Sequence, residues 1–168
     1  MIQWQLFPRS ARPTDRALSV VQAFQTVEAQ IDSTTYDLPS NDVLALVAPH
    51  LMALGFAVEV GKKAEQKICV PVLFGLNGRM EKSFEADAYH QDEGFVVEVE
   101  AGRGVVNNQF LKDLFQACMM ADVYYLAIAV RNVYKTRPDF EIVCRFLTTL
   151  YASQRLQLPL RGILVLGY

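Results

Sequence analysis

Glu81-Lys82-Ser83-Phe84-Glu85-Ala86-Asp87-Ala88-Tyr89, a polar link over Gln91–Gly94, and then Phe95-Val96-Val97-Glu98-Val99-Glu100-Ala101 is the stretch that decides the fold. Both runs alternate with period two, which is the spacing of a strand with two unlike faces. Glu85, Asp87 and Tyr89 take one side of the first run, and Phe84, Ala86 and Ala88 take the other. In the second run Val96, Glu98 and Glu100 share a face opposite Phe95, Val97 and Val99. Side chains two apart lie roughly 6.6 Å apart along a strand. A short turn makes the two runs neighbours, so register can bring Asp87, Glu98 and Glu100 together, with Glu85 nearby.

Outward from this hairpin the period changes. Toward the N-terminus, Phe56–Val60 and Lys67–Phe74 read as two more strands, with Asn77-Gly78 as a hairpin signal, so four strands are expected in an antiparallel meander. Before them stand two helices. One is capped by Thr14 and runs to Ile31; the other opens at Ser40, stops at Gly55 and is expected to kink or restart at Pro49. Residues 1–13 form an irregular or strand-like lead-in. Toward the C-terminus come an amphipathic helix through Phe110, Leu114 and Cys118, an apolar strand over Val123–Val130, a helix after Pro138 and a strand over Gly162–Leu166. The order predicts one α/β domain over 1–168, a mixed central sheet flanked by helices.

Composition narrows the class. The chain has 168 residues, 52% of them apolar, enough for one globular core. No apolar run approaches about 18 residues, so no membrane partner is expected. Residues 1–5 lack the basic start of a secretory signal, and Cys69, Cys118 and Cys144 are odd in number and fit no zinc spacing. They are expected to be buried, unpaired thiols, and the location cytoplasmic. A net charge of −2 argues against a bulk electrostatic DNA binder. There is no phosphate loop and no dinucleotide fingerprint, so no nucleotide cofactor is expected.

Glu98 and Glu100 interrupt an otherwise apolar strand. Carboxylates brought together and buried repel one another unless a cation or bound protons offset the charge. Oxygen ligands at such density suit Mg²⁺ or Mn²⁺. An outward, solvated row of charges has the same alternation.

An acid on one strand (Asp87), Glu98-Val99-Glu100 at the end of the next, a polar turn and an amphipathic helix, all preceded by a helix ending in Leu51-x-x-Leu54-Gly55-Phe56, resemble the PD-(D/E)XK nuclease superfamily. The resemblance spans about 40–130 and implies a restriction-endonuclease-like fold. Glu100 stands where the family usually has lysine, which resembles the BamHI and BglII branch; Ala86 stands where a proline usually precedes the acid. The resemblance implies a Mg²⁺-dependent deoxyribonuclease. Asp87 and Glu98 would ligate the metal, and Glu100 would orient or deprotonate water or share a second metal.

Around this cluster, Arg103 could contact a phosphate, and Asn108 and Gln109 open the next helix, whose N-terminus favours anions. Lys62 and Lys63, with Lys67, Arg79 and Lys82, could form a cationic rim for a DNA backbone; solvated edge charges explain them equally. Glu59 and Glu65 are possible extra acids, His90 reads as a turn residue, and Tyr124, Tyr125 and Tyr134 as packing residues. The apolar terminal helix and strand could pair two copies into a homodimer. The competing expectation is a catalytically inactive nuclease-like domain that binds DNA or a protein partner.

Overall fold

The computed structural model describes all residues except Lys62, Arg103, Gly104 and Asn107. Thr14 caps the first helix as expected: its Oγ1 accepts from the Ala17 N–H at 3.1 Å. That helix, α1 (Asp15–Thr26), does not reach Ile31. Val27 leaves helical geometry, and a separate turn, α2 (Glu28–Ile31), follows. Thr26 Oγ1 donates to the Gln22 carbonyl, a back-bond that competes with the main-chain ladder at this point. Helix α3 (Ser40–Ala53) runs through Pro49 without a break. Pro49 and Ala45 lie on the exposed side, so water can satisfy the Ala45 carbonyl that the proline leaves without a donor.

The remaining elements are β1 (Gln3–Phe7), β2 (Ala57–Val58), β3 (Ile68–Phe74), β4 (Met80–Ala86), β5 (Ala88–His90), β6 (Phe95–Val99), α4 (Gln109–Met119), β7 (Tyr125–Val130), α5 (Asp139–Ser153) and β8 (Gly162–Gly167). Six strands form one sheet in the order β1-β8-β7-β6-β5-β2. β6, β7 and β8 are parallel and the other pairings antiparallel, so the sheet is mixed. Helices cover both faces. Val97, Val99, Ala127, Ala129 and Leu166 pack toward α1 and α3. Val96, Ile128, Val130 and Val165 pack toward α4 and α5. The near-continuous apolar runs of β7 and β8 follow from burial on both faces.

The expected four-strand meander is corrected in one respect. The run Glu81–Tyr89 is not one strand: it breaks at Asp87 into β4 and β5. β3 and β4 pair only with each other, as a separate two-stranded ribbon, and β2 pairs across the gap with β5. Asn77 and Gly78 both take positive φ, 58° and 72°, at the ribbon's tip, as the Asn-Gly signal predicts. The ribbon's outer face is solvated, so Cys69 is exposed rather than buried; Cys118 and Cys144 are partly buried, and all three are free. Among the described residues no helix is long and apolar enough to cross a membrane.

Candidate functional site

The break at Asp87 builds the site. Ala88 pairs with Val97 and with Val58, so the next positions along set Asp87 beside Glu98 on one side and Glu59 on the other. The Glu59 N–H donates to the Asp87 carbonyl at 2.8 Å, which extends that pairing beyond the regular strand. Laterally paired residues point to the same face of a sheet. Three carboxylates from three adjacent strands therefore form one row on the α4 side. The Val99 N–H donates to Asp87 Oδ2 at 2.7 Å, and the Asp87 N–H hydrogen-bonds the Glu98 carboxylate in return. Each acid is held by the backbone of the other's strand.

Glu100 continues the same face at the carboxyl end of β6, where its N–H donates to the Ala129 carbonyl at 2.8 Å. Helix α4 lowers Asp113 onto it. Asp113 lies one position before the buried Leu114 and three after the buried Phe110, so the apolar stripe that docks the helix carries Asp113 inward, to 7% exposure. Among the described residues its Oδ2 is buried with no hydrogen-bond partner. Glu59, Asp87, Glu98, Glu100 and Asp113 line one cavity of about 230 Å³, with Lys67, Glu85, Lys112 and Gln116 around them.

Protons are held tightly here. Burial raises the Asp87 carboxyl to about 6, against the Val99 hydrogen bond that lowers it. Burial and then repulsion from Asp87 and Asp113 push Glu98 well above the ordinary carboxylate range. Burial, followed by Asp113, raises Glu100 to about 8. Asp113 is raised by burial as well, while its hydrogen bond with Glu100 lowers it, so these two carboxyls share a proton when one is available.

Lys67 enters the cavity from the foot of β3. Its Nζ bonds both oxygens of Glu59 at 2.9 Å and lies 3.4 Å from Glu85. The hydrogen bond to Glu59 raises its pKa further.

Among the described residues no three His, Cys, Asp or Glu side chains close into a ready ligand set. The donor chemistry nonetheless fits a hard divalent ion: all the acids offer oxygen, Lys67 and Lys112 offset their mutual repulsion only in part, and one buried oxygen is unpartnered among the described residues.

The structure brings together Asp87, Glu98 and Glu100, the three acids singled out by alternation. Glu59 and Lys67 join them from positions expected on the surface, because β2 pairs with β5 and not with β3. Asp113 was not anticipated at all. Lys63 is exposed in the loop before β3; Asn108 and Gln109 start α4 but do not border the cavity, and Asn108 caps without a side-chain hydrogen bond, in a left-handed conformation. Lys62 and Arg103 fall outside the described residues. His90 is buried at the end of β5, edge-on to Phe56, and its Nδ1 accepts from the Glu93 N–H of the turn. Tyr125 stacks on Phe95. The chain matches no protein-family model and no curated protein.

Proposed function

We propose that this cavity binds Mg²⁺ or Mn²⁺ and hydrolyses a DNA phosphodiester bond, in a domain of the restriction-endonuclease-like kind. The observation that carries the reading is the shared cavity of Asp87, Glu98, Glu100 and Asp113 at the carboxyl end of β6. Support for the fold comes from the order α3, β2, β5, β6, α4, β7, with Glu98-Val99-Glu100 at the end of β6. Asp87, Glu98 and Glu100 would hold the ion, with Asp113 as a fourth carboxylate. When bound, the ion supplies positive charge to the phosphate under attack and acidity to water.

The residues themselves divide the remaining work. The crossed hydrogen bonds, Val99 N–H to the Asp87 carboxylate and Asp87 N–H to the Glu98 carboxylate, fix two acids in place before substrate arrives. Glu100, whose own proton is held up to about pH 8 by burial and by Asp113, would orient water or take a proton from it only after giving that one up as the ion binds. Lys67 supplies a positive charge inside a cavity whose motif lacks lysine.

The purified protein is expected to cut plasmid DNA with Mg²⁺ or Mn²⁺ and to stop with chelator or Asp87→Ala. Cleavage that survives Asp87→Ala defeats the reading.

A second reading is an inactive nuclease-like domain that binds DNA or a protein partner. It is favoured by the open arrangement of the acids and by Glu100 at the lysine position. It predicts no rise in thermal stability with millimolar Mn²⁺.

A further inference from the structure

The β3–β4 ribbon carries apolar side chains that the fold does not use. At its foot, Val70 and Ala86 are buried against the core, and the Pro71 carbonyl accepts from the Ala121 N–H at 2.8 Å. Beyond Pro71 the chain projects. Leu73, Phe74, Leu76 and Met80 are 58%, 56%, 82% and 52% exposed on one short tip. Single exposed apolar residues are ordinary, but four large ones on one hairpin mark a contact surface.

The ribbon is rooted in the carboxylate cavity. Lys67 stands just before β3, and Glu85 near the end of β4; both line the cavity. β3 has seven residues, so the tip reaches roughly 20 Å from the cavity, at ~3.3 Å per residue. Arg79 and Lys82 are exposed at the tip. The tip's one acid, Glu81, is folded back over Gly75, where its Oε1 would lie 1.8 Å from an added Cβ. Glu81 is itself exposed, so the tip offers two cations to one anion beside its apolar side chains.

We propose that this tip is a wedge for duplex DNA: Arg79 and Lys82 take backbone phosphates while Leu76 and Phe74 press between stacked bases. A two-stranded ribbon fits a DNA groove, and apolar side chains flanked by cations are the equipment for unstacking a base step. Exposed cations suit the dense, regular negative charge of a DNA backbone, which a second copy of a chain of net charge −2 offers only thinly. The proposal rests on the nuclease reading, in that it names the form of its substrate: duplex DNA distorted on binding, not a free single strand.

The test uses the full chain, a labelled duplex carrying 2-aminopurine, and Ca²⁺ to neutralise the cavity. Anisotropy gives affinity and 2-aminopurine fluorescence reports unstacking. Wild type should bind the duplex and raise the fluorescence. The double variant Phe74→Ser/Leu76→Ser should keep its melting temperature, bind the duplex at least about tenfold more weakly and lose the fluorescence rise. Arg79→Gln/Lys82→Gln should weaken binding and flatten its salt dependence.

Duplex binding within twofold of wild type in the apolar variant overturns the wedge. So does a wild-type dimer in light scattering that becomes monomeric in that variant while DNA affinity is unchanged, or an absence of DNA binding by wild type. Wedge-dependent binding without cleavage would sink the nuclease reading alone; cleavage indifferent to the tip would sink the wedge alone.

Discussion

The Val99 N–H donates to Asp87 Oδ2 across 2.7 Å, so the main chain of β6 holds the acid that stands between β4 and β5. This bond joins the break between two strands to the site that the break creates. Asp87→Asn keeps an oxygen for Val99 but removes the charge. It should leave the protein folded, with circular dichroism unchanged, and reduce cleavage at least about a hundredfold, as expected when a carboxylate that would hold the metal ion loses its charge. Asp87→Ala also loses the hydrogen bond and should cost a further ~1 kcal/mol of stability, read by urea unfolding.

Stability should fall as pH rises. Asp87 moves from an ordinary 3.8 to about 6 on folding, and Glu100 from 4.5 to about 8. Between about pH 4 and pH 8 the folded state thus binds more protons than the unfolded state, which makes the slope of unfolding free energy with pH negative. Without divalent cation, Tm should drop by on the order of 5 °C across that window. A Tm that climbs over the same range contradicts the burial of these acids.

Glu100→Gln removes a charge from the crowded pair with Asp113 and puts an amide that can donate to the Asp113 carboxylate in its place. At pH 8 it should raise Tm by a few degrees while abolishing cleavage. At pH 5, where the Glu100 carboxyl is already protonated, the gain should largely vanish. Differential scanning calorimetry at the two pH values separates the outcomes.

Lys67→Met leaves Glu59 without the donor that meets both its oxygens. The loss should be about 1.5–3 kcal/mol, the range for hydrogen bonds to charged groups. It should also push Asp87 to higher pKa, because Lys67 lowers it. The Asp87 carboxyl carbon followed by NMR against pH is the measurement.

The alternation of Phe84–Ala88 and Phe95–Ala101 was enough to put Asp87, Glu98 and Glu100 on one face, because a period of two records which side chains meet the core. It could not show the break at Asp87: β4 and β5 alternate in one continuous phase, and only the partner strands reveal that they belong to different sheets. For the same reason alternation leaves Glu59 no more than a possible extra acid, since it reaches the site through the long-range pairing of β2 with β5. Asp113 had a usable signal, an acid three positions after Phe110 on the stripe that docks α4. The apolar residues beside it account for the docking of α4 by themselves, so the pattern alone gives the acid among them no role. Cys69 looked buried because its neighbours are apolar, yet those neighbours form a two-stranded ribbon that the core covers on one side only.

Diffraction from crystals grown with Mn²⁺ and measured at an energy with strong manganese anomalous signal is the direct test. The account predicts an anomalous peak bounded by carboxylate oxygens of Asp87, Glu98 and Glu100, with Asp113 turned toward it. A map with no peak there at saturating Mn²⁺, and those carboxyls still protonated and paired with one another, would contradict it.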